Sequence, residues 1–205
     1  MKSKQLKTFV YLAFFIAIEI VLMLTPLGFI PLGVIRATTL HIPVILAGIL
    51  LGSKYGAAVG FVFGLMSLII NTTQPTITSF VFSPFVSIGG TSGNFASLLI
   101  VFGPRIFLGF FSGWLYQFFN RLKWKPVLNV SVTAIVNTLI HTVLVMGLIA
   151  FFFGEPYAQA KGVAVSQLIN LLLVVITTNG VAEMIVAAIV VTALYKALKP
   201  IMERN

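Results

Sequence analysis

The sequence predicts an all-α integral membrane protein with six spanning helices, and three observations carry the prediction. Hydrophobic residues fill 59% of the 205 positions and charged ones only 8%, with a mean hydropathy of +1.10. Soluble domains carry roughly 25% charged residues, so a water-soluble fold is excluded. The apolar residues gather into runs too long and continuous for barrel strands, and in hydrocarbon only a helix satisfies its backbone within one such run.

Cutting the runs at proline, glycine and charged residues predicts spans over about 6–25, 41–53, 55–72, 97–120, 127–153 and 168–197, within one integral membrane domain covering 1–205. The first apolar run, Val10 to Leu24, opens a series of similar runs and has no small-residue cleavage site behind it. It is expected to stay as a helix rather than leave as a signal peptide. The second span is short for a hydrocarbon core of about 30 Å, which takes about 20 helical residues, and a tilt or an extension back through Thr38 is expected of it. Thr72 to Ser97 is rich in Thr, Ser, Pro and Gly, yet it carries Phe80, Val81, Phe82, Phe85 and Val86. It reads as an ordered, partly apolar loop.

The charge, 13 Lys and Arg against four acids, is +9. Six spans put both termini on one side. With them go Lys2, Lys4, Lys7, Lys54, Arg121, Lys123, Lys125, Lys196, Lys199 and Arg204, leaving Arg36, Arg105 and Lys161 opposite. By the positive-inside rule both termini are expected in the cytoplasm. The basic excess is then a topology signal rather than a nucleic-acid patch, and no nucleic-acid partner is expected. The three outward connections, about 26–40, 73–96 and 154–167, are the longer ones. Long ordered loops are commonly functional, and these describe a cup open to external solute.

Several chemistries are absent. Without cysteine there are no disulfides or thiolate sites. His41 and His141 have no second metal-type ligand at useful spacing, so no metal or other cofactor is expected. No phosphate loop of the GxxxxGK[ST] type and no catalytic serine, histidine and acid set occurs. The chain cannot hydrolyse ATP alone.

The informative residues are the polar ones inside apolar runs. Glu19 and Glu183 are costly in a membrane and should face the bundle interior, a cavity or a partner. Asn179 lies four residues before Glu183, and Asn137 four before His141, so each pair shares a helix face. Arg36, in the first outer loop, and Arg105, after Pro104, offer rigid donor forks suited to a carboxylate or phosphate, against a reading as interfacial snorkelling. Asn71, Gln74, Gln167 and Asn170 fall near outer helix ends. Ala13 and Ala17 form a small-xxx-small pair that admits a close helix neighbour. Gly56, Gly60 and Gly64 make one smooth stripe and Gly109 and Gly113 another, both read as internal packing.

These features together resemble the S components of energy-coupling factor vitamin transporters, over essentially the whole chain. The matching residues are Ala13-xxx-Ala17, the His41-Ile42-Pro43-Val44-Ile45-Leu46-Ala47-Gly48 segment leading to Gly52–Gly64, Gly103-Pro104-Arg105 with Gly109 and Gly113, and Asn179-Gly180-Val181-Ala182-Glu183. The resemblance implies a multi-pass subunit of the bacterial cytoplasmic membrane that captures a vitamin outside. It would dock through Ala13 and Ala17 on a transmembrane coupling subunit driven by two cytoplasmic ABC ATPases, and topple in the membrane to release its ligand. Trp114 and Trp124 lie toward the cytoplasmic end, which disfavours the tryptophan-rich thiamin site, and Ser67 stands where many relatives carry an aspartate. Arg36 and Arg105 suit an anion, so pantothenate is expected, with Arg36, Asn71, Arg105, Asn137, His141, Asn179 and Glu183 as binding residues. The alternatives are a pyrimidine precursor of thiamin, riboflavin or folate. Outside transport, the rivals are an intramembrane enzyme using Glu19, His141 and Glu183 as acid and base, and a purely structural subunit.

Overall fold

The computed structural model describes residues 2–32 and 35–203, with side chains over 5–28 and 38–202. Among the described residues the helices are α1 (Lys2–Leu24), α2 (His41–Leu51), α3 (Ser53–Thr73), α4 (Phe95–Arg121), α5 (Pro126–Ala160), α6 (Leu168–Val175) and α7 (Val181–Glu203). A wider π-helical turn, Ile176–Gly180, carries α6 into α7. Two antiparallel hairpins, β1 (Phe29–Leu32) with β2 (Ile35–Thr38) and β3 (Ser87–Ile88) with β4 (Thr91–Ser92), sit in the first two long connections.

Among the described residues five helical segments are long and apolar enough to cross a bilayer: Gln5–Leu24, Ser53–Thr73, Phe95–Arg121, Pro126–Ala160 and Val165–Met202. The sixth expected span, α2, has only 11 residues, about 16 Å of helix and roughly half a hydrocarbon core. Its sequence explains how so short a helix is held. It is apolar on every side, and every residue from His41 to Ile49 is buried, as befits an element at the centre of a bundle rather than at its lipid surface. Val44, Ile45, Leu46 and Ala47 centre one apolar cluster with Phe15, Val59, Leu108 and Val191. Gly52 then turns the chain at a φ of 102°, a left-handed conformation that costs glycine nothing, and α3 starts at the next residue.

The glycine stripes form the seam between α3 and α4. A Cβ on Gly56 would run into the Gly109 carbonyl, one on Gly109 into the Gly56 carbonyl, and one on Gly60 into the Arg105 carbonyl. The two backbones therefore touch, the arrangement that small residues permit in membranes. Gly48 of α2 lies against the same part of α4, where a Cβ would meet the Gly109 carbonyl at 2.6 Å.

The connection between α3 and α4 is ordered and partly apolar, as its sequence predicts. Phe80 and Val81 are buried with Ile100, Ile149, Phe153 and Leu172 in a second cluster. The Ser97 hydroxyl donates to the Phe80 carbonyl at 2.7 Å, and the Thr72 and Ser83 hydroxyls share a hydrogen bond of 2.7 Å. Asn94 caps α4 by accepting from the Ala96 amide at 2.8 Å.

The third outer connection corrects its expected boundaries. The stretch from 154 is helical, not loop, because α5 runs on to Ala160 with a break at Phe153 (φ −133°, ψ 23°) and Pro156 inside it. Proline removes one backbone donor and kinks a helix without ending it when packing holds the far side. Here Phe153, Tyr157 and Ala158 are all buried in the second cluster.

Replacing Gly60 or Gly109 by Ala should destabilise the bundle by about 1–3 kcal/mol, the usual cost of overpacking. Gly147→Ala, with nothing within 4 Å of a new Cβ, should stay within about 0.5 kcal/mol. Thermal unfolding in detergent checks both, and equal shifts would mean the seam is slack.

Candidate ligand-binding cavity

A cavity of about 520 Å³ lies at the end of the bundle where α1 and α3 finish and the last helix begins. That volume is within the range of small-molecule sites, about 300–1,000 Å³. Met23 and Leu24 of α1, Thr38 of β2, Phe63, Ser67 and Asn71 of α3, Arg105 of α4, His141 and Thr142 of α5, Asn179 and Glu183 all line it.

Arg105 owes its place to the residue before it. Pro104 has no N–H, so the Ile100 carbonyl, four residues earlier, loses its helical donor. Arg105 Nη1 takes over that carbonyl at 2.7 Å. The guanidinium carbon sits 5.3 Å from the ring centres of both Phe63 and Phe82, held by cation–π attraction on both. The residue is 7% exposed, its Nε is buried without a partner, and no carboxylate among the described side chains forms an ion pair with it. His141 stands beside the same Phe63 ring, 6.2 Å between centroids, with its Nε2 also buried and unpartnered.

The acceptors come from the last helix. Glu183 is 8% exposed and accepts a hydrogen bond from the Thr38 amide at 3.0 Å, which ties the β1–β2 hairpin to α7. Asn179 stands one turn earlier on the π-helical turn, a feature common at functional sites. Asn71 reaches the cavity but is largely engaged in structure. Its amide donates to the Ser67 carbonyl at 2.8 Å and its Oδ1 accepts from Ser79 at 2.8 Å, fastening the loop above α3.

Five of the seven expected binding residues thus line one cavity: Asn71, Arg105, His141, Asn179 and Glu183. Asn137 lies one turn along α5 from His141, 1% exposed and bonded to the Thr133 carbonyl at 2.8 Å, and is absent from the lining. Arg36 belongs to β2, where its backbone pairs with Pro31, and its side chain lies outside the described residues. Gln74 is at the rim, whereas Gln167 and Asn170 are exposed and away from the lining. Glu19 is fully buried with neither oxygen partnered, one turn along α1 from Met23 and outside the cavity wall. Ala13 and Ala17 are both exposed on α1. Sequence reading missed Phe63, Phe82 and Thr38. Phenylalanine is abundant in this chain, and Thr38 acts through its backbone amide, so neither type stands out in sequence.

Arg105, with no acid paired to it among the described side chains, lines a ligand-sized cavity inside a helical membrane bundle, an arrangement suited to a solute-binding membrane protein. Residues 7–195 match the family described as ECF transporter, substrate-specific component, and the chain belongs to that family. It is 36% identical over 201 residues, 97% of this chain and 96% of the relative, to the pantothenic acid transporter PanT of Lactococcus lactis subsp. cremoris. It is 30% identical over 213 residues, 100% of this chain and 98% of the relative, to the pantothenate transporter PanT of Leuconostoc mesenteroides subsp. mesenteroides. Its fold is similar to a crystal structure of the S component for biotin from an ECF-type ABC transporter, with a TM-score of 0.58 over 96% of this chain and 94% of that one at 19% identity. The chain is therefore a transporter component and a multi-pass protein of the bacterial cell membrane.

The pairing of Pro104 with Arg105 can be read in a double-mutant cycle. Pro104→Ala gives the Ile100 carbonyl a helical donor again, so Arg105→Gln should cost about 0.5–1.5 kcal/mol less stability in that background than in the wild type. Unfolding in detergent measures the four variants, and additive losses would contradict the coupling.

Proposed function

We propose that this subunit captures pantothenate and delivers it for uptake, with the carboxylate on Arg105. One observation carries the reading. Arg105 is a cation in the cavity wall with two aromatic faces and one carbonyl around it and no described acid to pair with. A charge at the centre of a membrane helix costs about 2.5–3.5 kcal/mol on insertion scales, and a ligand carboxylate supplies the missing partner. Pantothenate is a small hydroxylated carboxylate with an amide, so its remaining groups need donors and acceptors of the kind that Glu183, Asn179 and His141 present. Two relatives that span nearly the full chain bear names as pantothenate transporters, which supports this ligand over a thiamin precursor, riboflavin or folate.

In the same reading α2 is the sixth, centrally buried span and both termini are cytoplasmic, since that side then collects ten of the 13 basic residues. The exposed Ala13–Ala17 face of α1 is the surface for a transmembrane coupling subunit, and two cytoplasmic ABC ATPases supply the energy that this chain has no phosphate loop to obtain.

Isothermal titration of the purified chain tests the assignment. Arg105→Gln should weaken pantothenate binding at least tenfold, in line with about 1.5–3 kcal/mol for a hydrogen bond to a charged group. It should hardly change binding of the neutral analogue whose carboxylate is a hydroxymethyl group. Equal losses for both ligands would move the carboxylate elsewhere, and absence of saturable pantothenate binding to the wild type would remove the proposed ligand. Arg36→Ala, run in parallel, places Arg36 in the site if affinity falls by more than about 1 kcal/mol, and removes it if affinity is unchanged.

A further inference from the structure

Away from the cavity, one side of α4 carries an unassigned surface. Phe107, Phe111, Trp114 and Phe118 follow one another at the three- and four-residue spacing of a single helix face. They stack in turn, with ring centroids 5.1, 5.2 and 5.7 Å apart and planes within 18° of parallel. Phe107, Trp114 and Phe118 are each at least 40% exposed, so the stack is an outer wall of the bundle rather than part of its core.

The wall ends in positive charge. Arg121 follows Phe118 by one turn, and Lys123 and Lys125 are exposed in the connection to α5. That connection is fixed in shape. The Trp124 amide donates to the Phe119 carbonyl at 3.2 Å, the Trp124 ring stacks on Phe119 at 4.2 Å, and Lys123 adopts a φ of 57°. Among the described side chains no carboxylate lies at this end, because Glu19 and Glu183 are buried in the bundle and Glu155 stands far along α5.

We propose that this surface binds an anionic phospholipid, with its phosphate against Arg121, Lys123 and Lys125 and an acyl chain along the aromatic stack. Charge complementarity selects the occupant. Juxtamembrane cations attract anionic headgroups, and tryptophan prefers the level at which headgroup and hydrocarbon meet. A neutral lipid or an apolar partner helix would cover the rings but bring no counter-charge of its own to the three cations. Parallel stacking also holds the rings rigid, so little side-chain freedom is lost when a chain lies against them.

Native mass spectrometry of the full chain, released from nanodiscs of equimolar phosphatidylglycerol and phosphatidylcholine, tests this. The wild type should retain phosphatidylglycerol at least fivefold over phosphatidylcholine. The combined variant Arg121→Gln, Lys123→Gln, Lys125→Gln should fall below twofold with its vitamin binding intact. Trp114→Leu with Phe118→Leu should lower total lipid retained while keeping the preference. Equal retention of both lipids by the wild type overturns the proposal and leaves the wall as a protein-docking face. A preference that survives the triple change overturns it too. So does one that falls equally in a Lys2→Gln, Lys4→Gln, Lys7→Gln variant, since net charge alone would then explain the effect.

Discussion

The backbone contact between α3 and α4 is the constraint on which the cavity depends. Gly56, Gly60 and Gly109 let the two helices meet carbonyl against Cα, and that spacing delivers Phe63 of one helix to the guanidinium of Arg105 on the other. A bundle with ordinary side chains at these positions would stand the helices several ångströms further apart. The ring would no longer cover the cation, and the cation would have no reason to stay in the wall.

Arg105 is held by the protein without being fully satisfied by it. Its two aromatic contacts and its bond to the Ile100 carbonyl offset the cost of placing an arginine inside a membrane bundle. They leave Nε without a partner and the charge without an acid among the described side chains. In the proposed reading the ligand carboxylate supplies the charge partner of this ordered cation. Glu183, held by the Thr38 amide, supplies an acceptor in the same cavity wall, and the proposal gives it the hydroxyl or amide donors of the ligand.

The fold class was legible because bilayer physics leaves few choices: long apolar runs with charges at their ends become helices. What misled was local. The short second span looked marginal by length, but α2 is apolar on every side and buried by the helices around it, which is how so short a helix is held. The fifth span was expected to end at 153, whereas packing of Phe153 and Tyr157 carries the helix on to Ala160. The cavity residues that were legible are those that are expensive in hydrocarbon: Arg105, Glu183, His141, Asn179 and Asn71. Asn137 is as expensive but bonds within its own helix, and spacing alone does not distinguish the two uses. The role of Phe63 depends on what the α3–α4 seam brings beside it, which no periodicity reveals.

The central claim is that the buried cation is left unpaired because the solute brings the opposite charge. It is tested most directly by purifying this chain alone, denaturing it, and identifying the released small molecule by mass spectrometry. The account predicts one carboxylate of the mass of pantothenate per chain. A neutral or cationic molecule in that position would contradict it.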